Sequence, residues 1–251
     1  CSAIPIGTAL AQSWNEELVY NCGKIVAEEM QLFGVNLWLA PALNIQRFPL
    51  CGRNFEYYSE DPVVSGKIAA AMTKGVQSIQ GCGVTLKHFA CNNQETNRFH
   101  SNSIVEETTL REIYLQGFEI AVTEATPVAV MTSYNLLNGV HTCNRKDLIT
   151  DILRNEWGFD GLVMTDWLVT GEGFFHNNKY PSGSAAGCIY AGNDLIMPGS
   201  RKDEEDILHA LHEGDTNYPI SRNDLEQCAY RVLRVTQELE DAALTNGREH
   251  T

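Results

Sequence analysis

Short, almost wholly apolar runs alternate along this chain with longer segments whose apolar positions recur every three or four residues, the first a strand pattern and the second a helical one. Residues 35–40, 84–90, 128–134, 162–166 and 194–197 are of the first kind. Between them, Leu18, Cys22, Ile25, Val26 and Met30 follow Asn15 at helical spacing. Asn15 is a suitable N-cap, Glu16 and Glu17 complement the helix dipole in the first turn, and Gly34 is a stop signal. A second helix opens at Asp61 and Pro62 and runs through Ile68, Met72 and Val76 to Gly81. The same pattern predicts helices over residues 106–124, 147–157, 184–191, 203–213 and 221–240. Residues 3–10 read as one more strand, which brings the expected number to six.

Strands that are apolar on both faces, with a helix between successive ones, predict a parallel sheet covered by helices. The fold class expected is therefore α/β, a parallel (β/α)8-type TIM barrel. It falls about two strands short of closure, and the shortage is expected on the N-terminal side. No low-complexity linker interrupts the chain, so residues 1–251 read as one barrel domain. A barrel lacking a strand leaves an unpaired edge, for which a second chain or a homo-oligomer is the expected cover.

Composition narrows the classes. The chain has 251 residues, 43% of them hydrophobic and 20% charged, enough apolar surface to offset the entropy of ordering. Eighteen Lys and Arg against 32 Asp and Glu give 18 − 32 = −14, a field that repels nucleic acid and anionic lipid. No window approaches 18 consecutive apolar residues, so no membrane span is expected. Cysteines stand at 1, 22, 51, 82, 91, 143, 188 and 228 without a C-x-x-C pair or a histidine at ligand spacing. They read as free thiols rather than a metal site, which suits a cytoplasmic or anaerobic setting. The chain opens on Cys1 rather than Met, so it reads as a piece of a longer protein.

In a parallel barrel the loops leaving the C-terminal ends of the strands share one mouth. Polar residues gather at those ends here: Asn44, Gln46 and Arg53, then Lys87 and His88, then Ser133, Tyr134 and Asn135, then Asp166 and Trp167. Each alone could be a cap, a satisfied core group or a solvated loop residue; their coincidence on one face favours a site. The connection over residues 41–60 is longer than ordinary and rich in Arg, Asn and aromatic side chains. An Arg fork can donate to vicinal hydroxyls while an aromatic face covers the C–H side of a sugar, and Trp167 offers such a face. Phe55, Tyr57 and Tyr58 are expected only to pack the loop down.

The runs LAPALNIQRFPLCGRNFEYYSEDP (39–62), TLKHFACNNQETNR (85–98), AVMTSYNLLNG (129–139) and GLVMTDW (161–167) resemble the catalytic barrel of glycoside hydrolase family 3, the β-glucosidase type. The resemblance extends through DLIMPG (194–199) to the final helix. It implies retaining hydrolysis of β-D-glucosyl residues from the non-reducing end, with Asp166 as nucleophile and Arg53, Lys87, His88, Met131, Tyr134 and Trp167 binding substrate. The substrates implied are oligosaccharides or aryl and alkyl β-glycosides, and no cofactor or metal is called for. The family's D-G-P run on the first strand has no counterpart here, and its acid/base carboxylate comes from a second α/β domain. A second domain or chain is therefore expected to complete the site. Glu56, Glu60 and Glu95 are carboxylates near the mouth, but no motif marks any of them as the acid.

Several alternatives stay open at this point. A β-xylosidase or related exo-glycosidase shares the motifs. The N-acetylhexosaminidase branch would need its acid histidine, and His100 lies in the right stretch without the Asp-Ser-His context. Lys87 could be the Schiff-base lysine of an aldolase-type barrel, although His88 and the polar 91–98 loop argue for a hydrogen-bonding setting. A catalytically incomplete sugar-binding fragment is the non-enzymatic alternative.

Overall fold

In a computed structural model of the chain, residues 1–170, 180 and 182–245 are described. Helix α1 (Gly7–Gln12) and α2 (Glu16–Leu32) lead to β1 (Leu37–Trp38), α3 (Pro62–Gln77) and β2 (Gly83–Phe89). After β3 (Asn102–Ser103), a helix begins as α4 (Glu107–Thr109), widens into π-type turns over Leu110–Leu115 and continues as α5 (Gln116–Ala125). Next come β4 (Ala129–Thr132), β5 (Leu136–Leu137), β6 (Val140–His141), a π-type helix over Asp147–Glu156 and β7 (Leu162–Met164). Helices α6 (Ala185–Ala191), α7 (Arg201–His212) and α8 (Arg222–Thr245) complete the order.

The caps read from the sequence are in place. Asn15 accepts a hydrogen bond from the Leu18 amide at 3.0 Å, and Asp61 accepts from the amides of Val63 and Val64 with Pro62 at the first helical position. Strands β1, β2, β4 and β7 pair in that order, all parallel. Leu195 bridges Met164 to add a fifth position. The sheet is a TIM-barrel-like run that stays open among the described residues. Residues 194–197, expected as a strand, contribute only that bridge.

Residues 3–10 correct the expectation more sharply. They form no strand, because α1 starts at Gly7 and buries Leu10 and Ala11. A Cβ on Gly7 would lie 2.3 Å from the Glu56 carbonyl oxygen, so backbone meets backbone here and only glycine fits.

Alternation along the strands sorts the core into two layers. Val84, Leu86, Val130 and Val163 face a large cluster shared with α2, α3, α5 and the 147–156 helix. Ala129, Met131, Leu162 and Met164 face the other way, against Val232, Val235 and Leu239 of α8. Asp194 ties α8 to the sheet. Its carboxylate is fully buried and pairs with Arg154 at 2.7 Å and Arg231 at 2.6 Å, and it accepts from the Val163 amide at 2.8 Å. All eight cysteines are free thiols, and six of them are buried. No described helix is long and apolar enough to cross a membrane.

Candidate active site at the strand ends

Strand β2 supplies two consecutive site residues, which a regular strand would point to opposite faces. The pairing with β4 runs Lys87 to Met131 and then Phe89 to Thr132, so the register slips at His88. That irregularity lets both side chains serve one mouth. Asn44 holds His88 from the first loop, donating to its carbonyl at 2.8 Å and accepting from its amide at 2.8 Å. Ser133 and Asn135 brace the same stretch by donating to the Ala90 carbonyl at 2.9 and 3.2 Å. The Gln46 amide binds the Asn54 and Tyr57 carbonyls, at 2.8 and 3.0 Å, and the Thr8 hydroxyl at 2.7 Å. These four polar residues, expected at the mouth, shape it from behind.

Asp166 follows β7 and is 6% exposed. Its Oδ1 accepts from the Trp167 amide at 2.8 Å, and the Tyr134 hydroxyl hydrogen-bonds the carboxylate. Oδ2 has no hydrogen-bond partner among the described residues, and His88 Nε2 stands 3.6 Å from it. Burial pushes the Asp166 carboxyl above the usual carboxylate range, against the opposing pull of the Trp167 amide, Tyr134, Arg53 and Arg98. Burial also drives His88 well below its usual value, and Arg53, Lys87 and Arg98 push the same way. The ring is therefore neutral at pH 7 and can donate to Asp166 or to Asn44, 3.4 Å from Nδ1, but not to both. The Tyr134 phenol is pushed up by burial and by the Asp166 charge, so it remains a donor.

Arg53 and Lys87 meet through a residue the sequence left without a role. Glu56 takes Arg53 on Oε2 at 2.7 Å and Lys87 on Oε1 at 3.1 Å. Arg98 is the second such addition. Its guanidinium lies 4.6 Å from the centroid of the Tyr134 ring and pairs with Glu95 at 2.7 Å. Opposite charges three residues apart inside polar loops, Arg53 with Glu56 and Glu95 with Arg98, were the available signal. Met131 sits lower, 2% exposed within the inner apolar layer. Trp167 is 49% exposed and leaves its indole face open. Of the loop aromatics, Tyr57 and Tyr58 are buried as expected while Phe55 is exposed.

The alternatives fare differently. The ion pair with Glu56 is the opposite of the apolar surroundings that activate a Schiff-base lysine. Both ring nitrogens of His100 are buried without a hydrogen-bond partner among the described residues, so no carboxylate orients it as an acid. Glu56 and Glu95 have their oxygens on cations, and Glu60 is exposed.

The fold and the strand-end cluster define an α/β domain of the TIM-barrel class with its polar site at the C-terminal mouth. The chain belongs to glycosyl hydrolase family 3, since the model of that family's N-terminal domain matches residues 1–235. It is 44% identical over 235 residues to the thermostable beta-glucosidase B of Acetivibrio thermocellus, covering 93% of this chain and 29% of that protein. Beta-glucosidase A of Butyrivibrio fibrisolvens is 45% identical over 226 residues, covering 90% of this chain and 25% of that protein. Among solved structures, beta-glucosidase 3B from Thermotoga neapolitana in complex with glycerol matches with a TM-score of 0.85 and 45% identity, over 96% of this chain and 33% of that one. The chain thus spans a quarter to a third of the length of these relatives.

Proposed function

We propose that this chain carries the nucleophile and most of the sugar-binding groups of a retaining β-glucosidase acting on non-reducing terminal β-D-glucosyl residues. The observation that carries the reading is the Asp166 carboxylate at the strand ends, with one oxygen held by the Trp167 amide and the other buried without a hydrogen-bond partner among the described residues. In such a reaction Oδ2 attacks the anomeric carbon as the glycosidic bond breaks, and the leaving oxygen takes a proton from an acid outside these residues. Water then releases the sugar with net retention. Arg53, Lys87, His88 and Arg98 supply donors for ring hydroxyls, Trp167 an apolar platform, and Met131 the floor. Tyr134 orients the nucleophile and spreads its charge. A second domain or chain bringing the acid is part of the proposal, as is a cytoplasmic setting suited to free thiols. The names of the relatives support glucose over other sugars.

The test is trapping. A 2-fluoroglucosyl fluoride should label the full-length protein on Asp166, read by peptide mass spectrometry. Asp166→Gly should lose roughly three or more orders of magnitude in kcat. Azide should then partly rescue it on an activated aryl glucoside, giving the α-glucosyl azide. A label on another carboxylate, or near-normal rates in the Gly variant, refutes the assignment. Faster turnover of aryl β-xylosides than of glucosides would replace the sugar but not the mechanism.

A further inference from the structure

Two cations, Arg53 and Arg98, act on Asp166 and a third, Lys87, adjoins His88 beside it, yet none of them forms an ion pair with that carboxylate among the described residues. Arg53 and Arg98 both act electrostatically on its carboxylate, and Arg53, Lys87 and Arg98 all act on the neighbouring His88. A buried carboxylate in that company would ordinarily be captured by one of them. Instead Glu56 holds Arg53 and Lys87, and Glu95 holds Arg98. Glu56 is the more firmly mounted of the two. The turn from Arg53 to Glu56 is closed by the Glu56 amide donating to the Arg53 carbonyl at 3.0 Å. On either side, the Asn54 and Tyr57 carbonyls are fixed by the Thr8 hydroxyl, at 2.7 and 3.0 Å, and by Gln46. Gly7 lies directly against the Glu56 carbonyl. The side chains of Arg53, Lys87 and Glu56 are only 18%, 15% and 24% exposed, so the pairs are partly shielded from water.

We propose that Glu56 is a positioning residue of this site, whose carboxylate clips Arg53 and Lys87 side by side at the sugar-binding mouth and keeps both cations off the nucleophile. The inference rests on the β-glucosidase reading above and deepens it. An ion-paired Asp166 would have to break that pair before attacking. Lysine, a point charge on a flexible four-carbon stem, is the cation best able to swing across once released. Clipping therefore does two things at once: it presents two donors in a fixed relation to the sugar hydroxyls, and it leaves Oδ2 without a close cation from Arg53 or Lys87.

The experiment compares Glu56→Gln and Glu56→Asp with wild type in the full-length protein. It measures hydrolysis of 4-nitrophenyl β-glucoside across pH and the rate of inactivation by 2-fluoroglucosyl fluoride. The Gln variant keeps the shape and loses the charge. It should lose about 10²-fold in kcat/KM, since a small misplacement of binding groups has that effect, and it should be labelled correspondingly more slowly. The acidic limb of its kcat/KM profile should move to lower pH, because a released cation favours ionised Asp166. The groups facing that carboxylate are His88 from β2, Tyr134 after β4, Arg53 and Arg98 from the loops, and Lys87 beside His88; only the two clipped cations change partner. Glu56→Asp, which restores the charge one methylene short, should recover part of the rate and most of the limb. A merely structural role would lower the folded fraction without moving the limb. If the Gln chain does not fold, the Asp variant is read alone, and wild-type kcat/KM together with a wild-type labelling rate there overturns the inference. Label on Asp166 with rates and limb unmoved in the Gln variant overturns it while leaving the glucosidase reading intact. Label on another carboxylate in wild type removes both.

Discussion

Asp194 offers the most exacting test of how the scaffold is held. Its side chain is fully buried, and those of Arg154 and Arg231 are only 11% and 17% exposed. Two guanidinium groups and the Val163 amide converge on it. Arg154 also donates to the Gly161 and Gly192 carbonyls, at 3.1 and 2.9 Å, so the carboxylate joins the 147–156 helix, β7 and α8. Asp194→Ala leaves two buried cations and one amide without their acceptor. Breaking a buried pair in this way costs about 3–5 kcal/mol, mostly as the penalty of the stranded charge. For a domain of this size that corresponds to a fall in Tm of about 10 °C. Asp194→Asn should cost nearly as much, because its single oxygen cannot serve both arginines and its amide hydrogens meet donors. The decisive comparison is the triple variant Asp194→Leu, Arg154→Met, Arg231→Met, which removes all the charges and should recover most of the loss. Thermal melts, with hydrogen exchange at the Val163 amide as a local probe, measure all three. A single variant that costs under about 1 kcal/mol, or a triple as unstable as Asp194→Ala, would refute the reasoning.

Gly7→Ala places a methyl group 2.3 Å from the Glu56 carbonyl; it should cost about 1–3 kcal/mol as an overpacked contact and raise KM for an aryl glucoside, which steady-state kinetics would show. Asp166→Asn should abolish turnover while raising Tm. Burial raises the Asp166 pKa in the folded state, so the ionised form costs stability above that pKa and the cost disappears as pH falls through it. Denaturation of wild type and the Asn variant should therefore converge toward acid pH, and parallel curves would contradict the raised pKa. His88 works in the opposite sense: its folded pKa is depressed below the usual 6.5, so stability is full above that value and is lost as pH falls below it. His88→Gln should flatten this acid limb in a pH series of melts, and an unchanged limb would place the titrating group elsewhere.

Much of the frame was legible in the pattern because local chemistry repeats it. Asn15 and Asp61 cap their helices through bonds to residues two or three positions away, and the apolar runs of β2, β4 and β7 are buried on both faces. The strand-end placement of Lys87, His88, Tyr134 and Asp166 was legible for the same reason, since a parallel α/β unit leaves its polar residues at one end. Residues 3–10 depart from the pattern because a short, mostly apolar run carries no sign of whether a strand lies beside it; here α1 lies there instead, with Gly7 against the 41–60 loop.

What the chain order alone could decide was which residues reach the mouth. Which of them touch was decided in three dimensions. Glu56 and Glu95 are carboxylates near the mouth without an assigned role until Lys87 arrives from β2 and Arg98 is laid over Tyr134. Asn44 and Gln46 look like ligands for a substrate until each is found spending its amide on backbone. Asp194 reads as a polar residue in DLIMPG, and becomes the junction of three elements only when Arg154 and Arg231, 40 and 37 residues away, close on it. Periodicity reports burial and direction along one element, whereas the pairing of charges depends on distances between elements, and those are set only when the sheet and its loops have packed.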